Sequence, residues 1–89
     1  MMITKQIQIN QQNYRLEIGP HQSQTCWKCH FTKKISLVSY HEFNRSDNWG
    51  TRPFCYPCAL ANVNELEAGD YEIPNKSEVV QDLRKALNS

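Results

Sequence analysis

The sequence predicts a small α+β fold: an N-terminal β-hairpin, a central unit organised around paired cysteines, and a C-terminal helix. Three observations carry that reading. Apolar and polar residues alternate over residues 3–18, the period of half-buried strands. Two Cys-x-x-Cys pairs stand 25 residues apart. After the second pair the apolar period changes from two to 3.6 and stays helical to the end. At 89 residues the chain has room for one domain. A chain this short buries only about 60–65% of its unfolded surface, so a cross-link of some kind is expected. The hairpin occupies residues 1–20, the cysteine unit 21–69 and the terminal helix 70–89, all in one compact domain.

Each element has its own signal. Ile3, Ile7 and Ile9 share one parity, broken by Lys5, and Tyr14, Leu16 and Ile18 share another. Asn10-Gln11-Gln12-Asn13 between them suits a turn. An isolated hairpin is marginal in water, so its apolar face must dock on something. Gly19-Pro20 ends the hairpin, and residues 21–25 read as a polar linker. Residues 34–43 form a strand through Ile35, Leu37, Val38, Tyr40 and Phe43. Residues 44–53, NRSDNWGTRP, read as a loop because of their breaker content. Ala59, Val63 and Leu66, with Leu60 beside them, define a helix that Gly69 closes as a left-handed cap. Asn75 followed by Glu78 resembles a capping box for the last helix. Its apolar stripe is Val79, Val80, Leu83 and Leu87, and Lys85 near its end complements the dipole.

Composition removes several classes. The first twenty residues hold no apolar run of signal-peptide length, and no stretch approaches the roughly 20 apolar residues of a membrane span. The expected setting is cytoplasmic. In a reducing compartment paired cysteines are more often metal ligands or redox groups than disulfides. Ile, Leu, Val and Phe total 19 residues, at the lower edge of what a packed core needs.

Cys26-x-x-Cys29 and Cys55-x-x-Cys58 supply four thiolates, which is what a closed tetrahedral site for one structural zinc ion requires. The second pair opens a helix, whose free amides and dipole favour thiolate. Knuckle, strand, loop and a second knuckle at a helix start form an ordered series. In it, residues 26–66 resemble a treble-clef zinc finger, as in GATA-type fingers and the small zinc domain of the ClpX unfoldase. Trp49, Gly50 and Phe54 before Cys55 match the Trp, Gly and apolar residue of the GATA pattern. The resemblance implies ligand roles for Cys26, Cys29, Cys55 and Cys58.

Other cysteine chemistries fit less well. Cys55-Tyr56-Pro57-Cys58 has redox-motif spacing, but only about 30 mostly helical residues follow it, too few for a thioredoxin fold. Cys26-Trp27-Lys28-Cys29-His30 matches a c-type haem string, which needs export and a second axial ligand. The nuclease form of a treble clef, the HNH type, would use His41 with Asn44 or Asn48. Glu42 follows His41 where an acid usually precedes, and no His follows Cys58, so the nuclease metal site is incomplete. His41 reads as a strand-end surface residue, His30 as a knuckle neighbour and His21 as part of the linker. The expectation is that the chain is not an enzyme.

Charge separates the remaining readings. Residues 26–58 carry Lys28, Lys33, Lys34, Arg45 and Arg52 against Glu42 and Asp47, a net +3, while residues 59–89 carry a net −3. Four thiolates around one divalent ion contribute −2, which leaves the finger at +1. That is a weak footprint for a phosphate track. Nucleic-acid binding, in transcription regulation or through stacking of single strands on Trp27, Trp49 or Tyr56, stands as the alternative. The favoured reading is a protein-binding module: an adaptor, regulator or inhibitor of a larger machine, of the kind a phage or mobile element encodes. Its docking surface is expected on the Asn44–Pro53 loop, with Trp49 as the anchor and Arg45 or Arg52 beside it.

Overall fold

The computed structural model describes residues 2–42 and 49–88, with the side chains of all of these except 42, 49 and 50. Seven elements follow in order: β1 (Ile3–Ile9), β2 (Gln12–Ile18), β3 (Ser23–Thr25), β4 (Thr32–Glu42), β5 (Trp49–Cys55), α1 (Tyr56–Ala68) and α2 (Lys76–Leu87).

β1 and β2 form the expected hairpin, from Ile3 opposite Ile18 to Ile9 opposite Gln12. Asn10 and Gln11 make the two-residue turn with φ of 52° and 68°. Two positive values give the type I′ twist that matches the twist of paired strands. Lys5, the polar break in the isoleucine row, lies opposite buried Leu16 and reaches Asp82 of α2 at 2.9 Å. It stays on the helix side by extending its ammonium to a carboxylate at the rim.

β4 is the axis of the sheet. It pairs antiparallel with β2, β3 and β5. Gly19 N–H donates to Ser36 O and His21 N–H to Ile35 O, which carries the ladder from β2 onward to β3. Gly19 takes φ of 147° at this break, a conformation that favours glycine.

The helices cover one side of the sheet. A core cluster joins Ile7, Leu16, Ile18, Leu37 and Phe54 from the strands to Ala59 and Val63 of α1 and to Val80, Leu83 and Leu87 of α2. A second, smaller cluster holds Cys26, Ile35, Val38 and Cys55. The hairpin face therefore docks on α2, as the marginal stability of an isolated hairpin requires.

Four local expectations are corrected. The polar segment 21–25 contains β3, because a pairing edge of β4 is available to it. Of the expected loop 44–53, residues 49–53 belong to β5, paired from Glu42 opposite Trp49 to Ile35 opposite Cys55. Pairing to β4 overrides the breaker content, and Pro53 is tolerated in a strand with a free edge. Gly69 is extended, with φ of −78° and ψ of 167°. What demands glycine there is space: a Cβ would lie 2.6 Å from the Tyr71 ring and 2.7 Å from Glu65 O. Asn75 is left-handed, with φ of 55°, and makes no side-chain cap, so no capping box forms. Asn tolerates that conformation, and Val79 N–H closes the first turn on Asn75 O. Phe43, Asn44, Arg45 and Asn48 lie outside the described residues.

Candidate metal centre

The first cysteine pair sits in the turn of the β3–β4 hairpin. Cys26 N–H donates to Phe31 O and His30 N–H to Cys26 O, both at 2.9 Å. His30 closes this turn in the left-handed conformation, at φ of 65°. Trp27 N–H reaches Pro53 O at 2.8 Å and ties the turn to β5. The second pair spans the junction of β5 and α1. Cys55 ends β5 and is the N-cap residue of α1, and Cys58 lies in the first helical turn. Pro57 sits at the helix start, where its missing N–H removes no hydrogen bond.

These two junctions bring the four sulfurs within 4.8 Å of one another. Cys29 Sγ and Cys55 Sγ are 3.9 Å apart. A tetrahedral ion with sulfurs at about 2.3 Å requires sulfur–sulfur separations of about 3.8 Å. The four cysteines are positioned to hold one metal ion, and their dimensions are compatible with zinc. Cys26 and Cys55 are buried, while Cys29 and Cys58 are partly exposed.

The electrostatics of the metal-free cluster prepare it for a cation. Burial pushes the Cys26 thiol up, but the backbone N–H groups of Cys29, Cys55 and Lys28 outweigh it and bring the thiol down to about 6. Cys58 is pushed up to about 12, by burial first and then by hydrogen bonds with Cys55, Cys26 and Cys29. One thiolate thus sits in a nest of amides while a neighbouring thiol keeps its proton. A divalent ion bound here would displace the remaining thiol protons, and the four sulfurs would hold it as thiolates. Outside the cluster, Lys28 donates to Glu65 of α1 at 2.7 Å, and that bond, with the attraction of Glu65, Cys58 and Cys26, raises its ammonium.

Arg45 lies outside the described residues. Trp49 stands in β5 opposite Glu42, with only its backbone described. Arg52 does meet an indole, but that of Trp27: its guanidinium carbon lies 4.5 Å above the ring. Trp27 is 48% exposed and meets Phe54 edge-on at 6.1 Å between centroids. Phe31, at 66% exposure, has the Lys33 ammonium 5.8 Å from its ring. Phe31 was legible only as an apolar residue in a polar run beside the knuckle. His41 is half-buried and stacks on Tyr14 at 4.5 Å. His21 packs its ring nitrogen on Glu17 O at 3.0 Å.

No family model, curated protein or solved structure matches this chain.

Proposed function

We propose that this chain is a small zinc-stabilised protein-docking module of the treble-clef class, acting as an adaptor, regulator or inhibitor without a catalytic role of its own. The treble-clef reading is supported by the order of parts around the sulfurs: a knuckle, the β4–β5 hairpin, then a helix whose first turn carries the last ligand. Zinc is supported by the all-thiolate donor set and its dimensions. The ion would lock the knuckle, β5 and α1 together, and the cysteines would be wholly committed to it.

The observation that carries the docking role is the pair of exposed rings on the knuckle, Trp27 with Arg52 and Phe31 with Lys33. Aromatic and arginine side chains on a rigid turn are the composition of an interface hot spot. Trp27 with Arg52 adds to the docking surface that the sequence suggested at Trp49, Arg45 and Arg52. The fitting partner is a protein surface with an apolar socket and an acidic rim.

The test is capture of partners from nuclease-treated extract by the zinc-loaded protein and by Trp27→Ala. A protein partner that survives nuclease, and is lost with Trp27→Ala while zinc is retained, supports the reading. Binding of a 12-mer of single-stranded DNA or RNA, with a steep salt dependence and loss on Trp27→Ala, would replace it with a stacking platform for nucleic acid.

A further inference from the structure

We infer that the outer edge of β1 is a homodimer interface, on which a second copy of this chain lays its own β1 antiparallel. The inference concerns assembly and is independent of what docks at the knuckle.

Hairpin geometry fixes which backbone groups face outward. With Ile9 opposite Gln12 across a two-residue turn, Ile3, Lys5, Ile7 and Ile9 exchange their hydrogen bonds with β2. The N–H and C=O groups of Thr4, Gln6 and Gln8 then point away from β2. Asn10 has the same phase, and its N–H donates outward to Glu72 O at 2.9 Å. Among the described residues, this contact and the bond from Glu72 N–H to Asn10 Oδ1 are the only ones at that edge, and they lie beyond the strand.

The opposite border of the sheet is protected and this one is not. β5 carries Gly50 and Pro53, and Pro53 O already accepts from Trp27. β1 has no proline, glycine or bulge, and its one charge, Lys5, is turned toward α2 and held by Asp82. Natural proteins guard exposed edges with such devices, and a seven-residue edge whose one lysine is neutralised by Asp82 is left as a template for another strand.

The edge is complementary to itself. Glu72 occupies the position beside Asn10, which limits a partner strand to the rungs before it. A twofold axis through Gln6 pairs Gln6 with itself and Thr4 with Gln8 of the second copy. Every outward group of β1 is then satisfied. On the helix side, Ile3 comes opposite Ile9 of the second copy and Lys5 opposite Ile7. No like charges stand directly opposite one another; the two Lys5 residues lie diagonally across the axis, each neutralised by Asp82 of its own copy.

The test is sedimentation equilibrium on the full zinc-loaded chain, with Gln6→Lys, Gln6→Glu and Gln6→Pro. The native protein is expected at twice its 10.4 kDa chain mass. Each lysine or glutamate variant alone places like charges opposite one another and is expected at the chain mass. An equimolar mixture of the two is expected to return to twice that mass. Gln6→Pro removes an outward N–H, leaves the bonds to β2 in place, and is expected to be monomeric with zinc retained. A native protein that stays monomeric would overturn the inference. So would a dimer that all three variants leave intact, or a mixture of the charge variants that fails to reassociate.

Discussion

The two ends of this molecule are held by different physics. The hairpin and helices share ten buried core residues, all of them apolar. The knuckle end has four, and two of those are Cys26 and Cys55. Among the described residues, the buried members of this cluster other than cysteines are Ile35 and Val38, with the partly buried Tyr40 packed against them. Hydrophobic burial organises the first region, whereas the second is built around four clustered sulfurs that a bound ion would neutralise and cross-link. The regions meet at the β5–α1 junction, where Phe54 belongs to the large cluster and Cys55 to the small one. On the proposed reading, a metal clasp would be fastened to one end of a conventional layered core.

The largest expected effect removes the clasp. Structural four-thiolate sites contribute about 10–16 kcal/mol of apparent binding energy, against a total stability of about 5–15 kcal/mol for a domain. Cys58→Ser, or stripping the metal with a chelator, should therefore unfold the knuckle and the start of α1. Circular dichroism and amide-proton dispersion are the measurements. If the comparison is right, resonances from residues 23–35 and 53–60 collapse first and those of the hairpin last. An unchanged cooperative melt without metal would show that apolar packing alone suffices at both ends.

The converse experiment weakens the layered core and leaves the clasp. Leu83 is 1% exposed within the large cluster. Leu83→Ala deletes buried methyl groups and leaves a cavity, at a cost of about 2–5 kcal/mol. Thermal melting of the zinc-loaded variant should show this loss, while the metal stoichiometry by native mass spectrometry stays at one. Loss of the metal together with stability would mean that the two regions form a single cooperative unit.

The same contrast explains what could be read from the sequence. The metal site was legible because the chemistry of four thiolates depends on spacing, and spacing is local. The hairpin and both helices were legible because Ile7, Leu16, Ile18, Val63 and Leu83 follow the period of their elements. β3 and β5 were not, because Ser23–Thr25 and Gly50–Pro53 have little strand propensity and become strands by pairing with β4. Gly69 was legible as a special position but not for the right reason, since its need for glycine comes from the Tyr71 ring two residues on. The exposed surface was least legible. That the Trp27 indole meets Arg52 depends on the Trp27–Pro53 bond that seats the knuckle on β5, and no periodicity encodes such a contact.

The smallest effect concerns the two exposed ion pairs that α1 makes, one toward each region. Glu65 pairs with Lys28 of the knuckle, and Glu67 pairs with Arg84 of α2, both at 2.7 Å. The hydrogen bonds from Arg84 hold the Glu67 carboxyl below the ordinary carboxylate value, since they favour its charged form. A lowered native value means that the stabilisation is complete above the ordinary carboxylate pKa of about 4.3 and is lost only as pH falls through the native value. Native protein and Glu67→Gln should therefore differ in melting temperature by the same small amount at pH 8 and at pH 6. The difference should shrink in 1 M salt, because exposed pairs are screened. Glu65→Gln makes the parallel cut on the knuckle side. There a bound metal would already fix the geometry, so in the zinc-loaded protein this change should move the melting temperature less than Glu67→Gln does. A larger effect from Glu65→Gln, with metal lost from the variant, would show that the Lys28 pair supports the clasp rather than merely bordering it.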